Sequence, residues 1–307
     1  MKIYNAAIFT SGVCRGTSAY ENLNYIEKKT IDECPNILES YHYINKQSVV
    51  DTIRNNGHKI FLDSGAFSAY TLGVSIDLPT YCDYIKRNLD IIRVEDGIVM
   101  ASVLDGIGDA LLTYQNQKWM ESLGVKPIPC FHVGEDERYL EYYIKNYEYL
   151  ALGGMVGVSD KQLCIWLDRI WRKYLLDGKG YPKIKVHGFG ITSYSIMKNY
   201  PWQSVDSSTW IQLAKFGNIV TPNNWILPIS KRSPKLFDNG KHVLTYTDIE
   251  KDYIFKMIKE QGFDSEKLSI NRESRAAYNI HSFIKINEQI NKDHKNKNFK
   301  IEVQELF

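Results

Sequence analysis

Carboxylates, imidazoles and glycines recur in one setting along this chain, directly after short apolar, β-prone runs. Asp63-Ser64-Gly65-Ala66-Phe67 follows one such run, Asp105-Gly106 another, His132-Val133-Gly134 a third and Gly153-Gly154-Met155 a fourth. His187-Gly188-Phe189-Gly190 and Asp206-Ser207-Ser208-Thr209 follow two more. Singly, each has a structural reading: an Asp after a strand often caps a helix, and paired glycines answer a need for positive φ or close packing. His132 and His187, taken one at a time, read as satisfied structural histidines. Three aspartates at three strand ends are a different matter, because clustered carboxylates are costly unless they are paired or used. Two chemistries suit them. One is nucleophilic and acid–base catalysis by carboxylates; the other is a metal held by the aspartates with His132 and His187 as further ligands.

The elements that must position these residues alternate regularly. Strand runs are expected at 6–9, 59–62, 98–103, 127–131, 149–152, 183–186, 204–205 and 218–220, with helical patterns between them. The clearest helix is 160–176, where Leu163, Trp166, Leu167, Ile170, Trp171 and Tyr174 form one apolar stripe, with Asp160 as its cap and Gly178 beyond its end. Pro79 fits the first turn of a helix running to Leu89, and Gly124 fits the stop of one that includes Trp119 and Met120. Repeated strand–helix alternation implies a parallel sheet with helices outside it, and about eight such strands predict a (β/α)8 barrel. An open dinucleotide-binding sheet carries GxGxxG after its first strand; here the chain reads Thr10-Ser11-Gly12-Val13-Cys14-Arg15-Gly16. In a barrel the strand ends converge on one mouth, where this fold builds its active sites.

Composition narrows the class. The 307 residues are 44% hydrophobic, and 38 Lys+Arg against 36 Asp+Glu leave a net charge of +2, which excludes general disorder. No apolar run is long enough for a membrane helix, so a cytoplasmic protein is expected (host cytoplasm, if phage-encoded). Five cysteines, Cys14, Cys34, Cys82, Cys130 and Cys164, stand far apart without CxxC spacing and read as buried thiols, neither a disulfide framework nor a cysteine zinc site. After Val220 the texture shifts to Pro222, Pro228 and Pro234 with Lys231, Arg232 and Lys235, then helical patterns near 247–261 and 271–291. The expected organisation is a catalytic barrel over 1–222 and a helical, basic extension over 223–307 packed on it.

FLDSGAF at 61–67, LALGGMVG at 150–157, HGFG at 187–190 and SVDSSTW at 204–210 resemble, in order, the signatures of the tRNA-guanine transglycosylase superfamily. The resemblance covers roughly residues 55–220 and implies a (β/α)8 barrel that exchanges guanine for a 7-deazaguanine base. Departures accompany it. No cysteine follows Cys164, so the family's zinc subdomain is missing; Ser68 replaces a motif Gln, and His132 stands where the tRNA enzymes present a Gln. The chain is closest in character to the zinc-free phage and mobile-island branch, which acts on DNA.

The resemblance implies Asp206 as nucleophile and Asp63 as general acid/base. It places Ser64, Phe67, Asp105, His132, Gly153, Gly154, Met155, His187 and Gly188 in the substrate pocket. Asp105 would accept from the guanine edge, Phe67 would stack on the base, and His132 would donate to the purine carbonyl. Lys231, Arg232, Lys235, Arg272 and Arg275 are the expected phosphate contacts. No metal or other cofactor is expected, and the expected partners are DNA before tRNA, the incoming 7-deazaguanine and accessory modification proteins. Three readings stand beside DNA exchange: a tRNA-guanine transglycosylase, a metal-dependent barrel hydrolase using Asp63, Asp105, His132, His187 and Asp206, and a non-catalytic barrel that binds nucleic acid or a base.

Overall fold

The computed structural model describes residues 1–295 together with Lys297 and Phe299. The described chain divides into two compact units, one of residues 1–6, 36–207 and the described residues from 290 onward, the other of 7–35 and 208–289. The change of texture near 222 therefore lies inside the second unit. Proline and lysine content marks a change of surface chemistry, whereas the division follows the strands.

In the first unit the strands are β1 (Lys2–Ala6), β2 (Ile37–Ser40), β3 (Ile60–Asp63), β4 (Val94–Glu95), β5 (Ile98–Val99), β6 (Cys130–His132), β7 (Tyr149–Gly153), β8 (Lys185–Gly188) and β9 (Ser204–Ser207). β4 and β5 form a small antiparallel ladder. The other seven make one sheet in the order β3-β2-β1-β9-β8-β7-β6, with every pairing parallel. Helices Glu137–Asn146, Asp160–Ile170 and Tyr194–Asn199 connect its later strands. Such crossovers are what parallel neighbours require.

The sheet is curled. Phe61 on β3 and His187 on β8 stand four strands apart, which in a flat sheet would separate them by roughly 19 Å. Their ring centroids are 4.7 Å apart, and both rings meet Tyr4 of β1. Segment 100–103 also bonds to the outer strand β3 and to Ile128, two residues before β6. Leu62 N donates to Met100 O at 2.8 Å and Ser102 N to Leu62 O at 2.9 Å, while Ile128 N donates to Ala101 O at 2.8 Å and Val103 N to Ile128 O at 3.0 Å.

Several expectations are corrected. The first strand runs over Lys2–Ala6, not 6–9, because Ala7 adopts φ 71° and turns the chain there. β2 was not anticipated: its four residues, ILES, include Glu39, a charge that is 1% exposed where periodicity expects an apolar residue. The run at 218–220 belongs to no parallel sheet. It is β10 (Asn218–Val220) of the second unit, antiparallel to β11 (Ile226–Pro228). Ser159, not Asp160, caps the helix Asp160–Ile170, and a π-turn at Trp171–Leu175 ends it. The helix Leu78–Arg87 carries Pro79 in its first turn as expected, with Asp77 accepting from Thr80 N at 2.9 Å.

The second unit also holds helices Asp248–Glu260 and Ser265–Ile270 and most of Arg272–Lys295. Asn279 ties its parts together, accepting from Val220 N at 2.8 Å and donating to Trp210 O at 2.9 Å. Among the described residues no helix is long and apolar enough to cross a membrane.

Candidate active site

Parallel strands carry their C-terminal ends to one side of the sheet, and the polar residues of the first unit gather there. Asp63 closes β3 and is followed by Gly65 at φ 76°, where a Cβ would lie 2.3 Å from Ser40 Oγ and 2.6 Å from His42 Cβ. Only glycine combines that left-handed turn with so close an approach. The turn aims Gly65 N at Asp63 Oδ2, 3.0 Å away, and Ser102 Oγ lies 3.5 Å from Oδ1. Burial pushes the Asp63 carboxyl up to about 7, and the charges of Asp105 and Asp206 push in the same direction; the Gly65 N–H works against them. The three strand-end aspartates are thus brought within electrostatic reach of one another.

Asp206, in β9, is buried and accepts from Gly190 N at 2.9 Å through Oδ1. His187 is fully buried beside it, with Nε2 3.3 Å from that oxygen but without hydrogen-bond geometry. Its Nδ1 is 2.7 Å from Ser204 Oγ, which in turn is 2.8 Å from Tyr149 Oη. A Tyr149–Ser204–His187 chain therefore fixes the imidazole against the Asp206 carboxylate. Neither Tyr149 nor Ser204 was a sequence candidate, although Ser204 stands two residues before Asp206 and so shares its strand face.

A second group forms around His132. Its Nδ1 is 2.8 Å from Glu135 Oε1, and its Nε2 is 3.6 Å from Asp105 Oδ2 and 3.4 Å from Cys130 Sγ. Asp105 Oδ1 is buried without a hydrogen-bond partner. Burial works against charge on the ring, but Cys130, Asp105 and Glu135 outweigh it and raise the His132 pKa. Burial pushes the Cys130 thiol up to about 12, with Asp105 adding to the effect. Among the described residues Asp105, Cys130 and His132 are the group able to present ligand atoms to one ion, all within 4.8 Å of one another. Asp63, His187 and Asp206, the other members of the ligand set expected for a hydrolase, are not in that group.

Other candidates take different places. Phe67 is 62% exposed, free to cover a flat ligand. Gly153 closes β7, where a Cβ would sit 3.0 Å from both Cys130 Sγ and His132 Nε2, and Gly154 follows with φ 70°. Met155 is buried. Two assignments are corrected. Ser64 is buried with its Oγ accepting from Ala66 N at 3.4 Å, so its hydroxyl shapes the turn. Gly188 faces Ile191 and Trp202, which a Cβ would meet at 2.8 and 3.0 Å, making it a packing position.

The basic candidates all lie in the second unit. Lys231, Arg232 and Lys235 are exposed, Lys231 in an ion pair with Glu266. Arg272 pairs with Glu273 at 2.6 Å. Arg275 is corrected: it is 5% exposed and donates to Ala214 O at 3.1 Å and Leu268 O at 2.8 Å, a structural tie and not a phosphate contact. A cavity of about 720 Å³ in the same unit, lined by Trp225, Leu227, Tyr246, Tyr253 and Ile254, was not anticipated. It offers apolar walls and one carboxylate, Glu250, already engaged in capping its helix at Thr247.

No family model matches this chain, and no curated protein matches it.

Proposed function

We propose that the chain is a base-exchange transglycosylase acting on guanine in nucleic acid, DNA before tRNA, and inserting a 7-deazaguanine base. On this reading segment 100–103 is the eighth strand, and its bonds to β3 and to Ile128 just before β6 close a (β/α)8 barrel. The observation that carries the function is the contrast between two strand-end carboxylates. Asp63 has its pKa lifted to about 7, so both of its protonation states are populated near neutrality. Asp206 is held by a backbone N–H and stands 3.3 Å from a fixed imidazole.

Exchange without an external energy source requires that the glycosidic bond energy be kept, and a covalent glycosyl-enzyme does this. Asp206 attacks the anomeric carbon as the bond to guanine breaks, and protonated Asp63 gives its proton to the leaving purine. The incoming base then returns a proton to Asp63 and attacks the same carbon from the opposite face, releasing Asp206 and retaining configuration. Asp105 Oδ1, buried and without a partner, is an acceptor for the N–H groups of a guanine edge, and Phe67 is a stacking surface. The preference for DNA rests on the lack of any cysteine beyond Cys164 with which to build the RNA-holding zinc element of the tRNA enzymes.

The test is label exchange. The protein is incubated with labelled guanine and either unlabelled DNA or unlabelled tRNA. Incorporation into DNA is expected. Incorporation into tRNA alone reverses the substrate preference, and none into either, with no covalent protein–nucleic acid adduct, overturns the reading.

A further inference from the structure

We infer that Asp105, Cys130 and His132 form a binding site for a borderline-soft divalent cation, Zn²⁺ foremost. The strand geometry makes the site. Residues two apart on a strand share a face, so Cys130 and His132 both project from one side of β6, while Phe131 between them turns the other way and stacks on Trp166. Asp105, just after segment 100–103, brings Oδ2 to the same point.

The spacing fits the ion. Zinc–sulfur and zinc–nitrogen bonds of about 2.3 and 2.05 Å at tetrahedral angles place sulfur and nitrogen about 3.6 Å apart, and nitrogen and oxygen about 3.3 Å apart. The corresponding separations here are 3.4 Å for Cys130 Sγ to His132 Nε2 and 3.6 Å for His132 Nε2 to Asp105 Oδ2. Two independent features support a ligand at this point. Glu135 Oε1 lies 2.8 Å from His132 Nδ1, the carboxylate–imidazole arrangement that turns the other ring nitrogen toward a metal. Gly153 also keeps the space beside the ligand atoms open, since a Cβ there would stand 3.0 Å from both Sγ and Nε2.

Three protein ligands and an open fourth position describe a reactive rather than a purely structural zinc site. A thiolate in the set selects against Mg²⁺ and Ca²⁺. With the ion bound, His132 is a ligand and no longer a donor to a base, while Asp105 keeps Oδ1 free. The inference stands on the ligand atoms and does not depend on the transglycosylase reading.

Binding, not activity, tests it. The full chain is dialysed against Zn²⁺, Mg²⁺ or Co²⁺ and its metal content is measured. One equivalent of Zn²⁺, none of Mg²⁺, and a near-ultraviolet thiolate-to-metal absorption with Co²⁺ are expected. Cys130→Ser and His132→Ala should lose stoichiometric zinc, Glu135→Gln should weaken it by about 10–100-fold, and Cys82→Ser, whose buried thiol lies outside the group, should retain it. Wild-type protein that takes up no zinc overturns the site, as does Co²⁺ bound without thiolate absorption. Should Cys130→Ser fail to fold, the wild-type cobalt spectrum decides. Folded Cys130→Ser and His132→Ala proteins that each keep a full equivalent also overturn it.

Discussion

Asp63 and Asp206 are both strand-end carboxylates in different surroundings, and the proposed exchange gives them different work. On the proposed mechanism, replacing Asp206 with Asn removes the attacking oxygen, so no glycosyl ester should form although nucleic acid should still bind. Asp63→Asn keeps the nucleophile and loses proton transfer, which should slow exchange by about 10²–10⁴-fold while a slowly formed adduct persists. Mass spectrometry of trapped adducts checks both variants; an ester mapped to Asp63 would exchange the two roles. The same carboxyl carries a stability prediction. Its folded-state pKa, about 7, lies above the ordinary carboxylate value because burial, Asp105 and Asp206 oppose its charge. The protonated group therefore contributes stability that is complete below about pH 4 and is lost as pH rises through about 7. Facing it are Asp105, Asp206 and the phenol of Tyr81. Asp63→Asn should thus be more stable than the wild type at pH 8, by on the order of 1–3 kcal/mol, with the difference fading toward pH 4. Urea melts at the two pH values read it, and a variant less stable at pH 8 would show that the charged form is favoured.

At the scale of elements, the turn after β3 is the part most exposed to a single change. Gly65→Ala adds strain at φ 76° and drives a methyl against Ser40 Oγ and His42 Cβ. A loss of about 2–3 kcal/mol is expected, together with weaker exchange because the Gly65 N–H no longer holds Asp63 Oδ2. A denaturant midpoint within error of the wild type would show that the turn yields freely. This turn was legible in the sequence, since an apolar run followed by Asp-Ser-Gly announces a strand end on its own. Cys130, Tyr149 and Ser204 were not, because their roles depend on strand direction and register. Cys130 and Ser204 each sit two residues before a recognised candidate, but a shared face acquires meaning only once it is known to look toward the site. β2 escaped for a related reason, its buried Glu39 breaking the apolar pattern. Arg275 was misread in the opposite sense: expected to reach a phosphate, its guanidinium instead satisfies two buried carbonyls.

For the molecule as a whole, charge is distributed more informatively than the net value of +2 suggests. The first unit carries the clustered carboxylates, and the exposed basic stretch belongs to the second. If that stretch holds phosphates, affinity for DNA must fall with salt, because each neutralised phosphate releases counterions and contributes about 0.9 to the slope of log K against log salt. Arg232 and Lys235 are exposed, and replacing both with Ala should flatten the slope by about 1.8. Lys231 is already paired with Glu266, so Lys231→Ala alone should change it by less than one full contact. Arg275→Ala is the contrasting case. It strips donors from Ala214 O and Leu268 O and should destabilise the fold by about 2–4 kcal/mol, while leaving the salt slope of the folded protein unchanged. Titrations at several salt concentrations, paired with melting curves, separate a phosphate contact from a structural tie. A slope that survives the loss of Arg232 and Lys235 would place the phosphate surface elsewhere, and a slope that falls with Arg275→Ala at equal folded fraction would return that residue to the binding face.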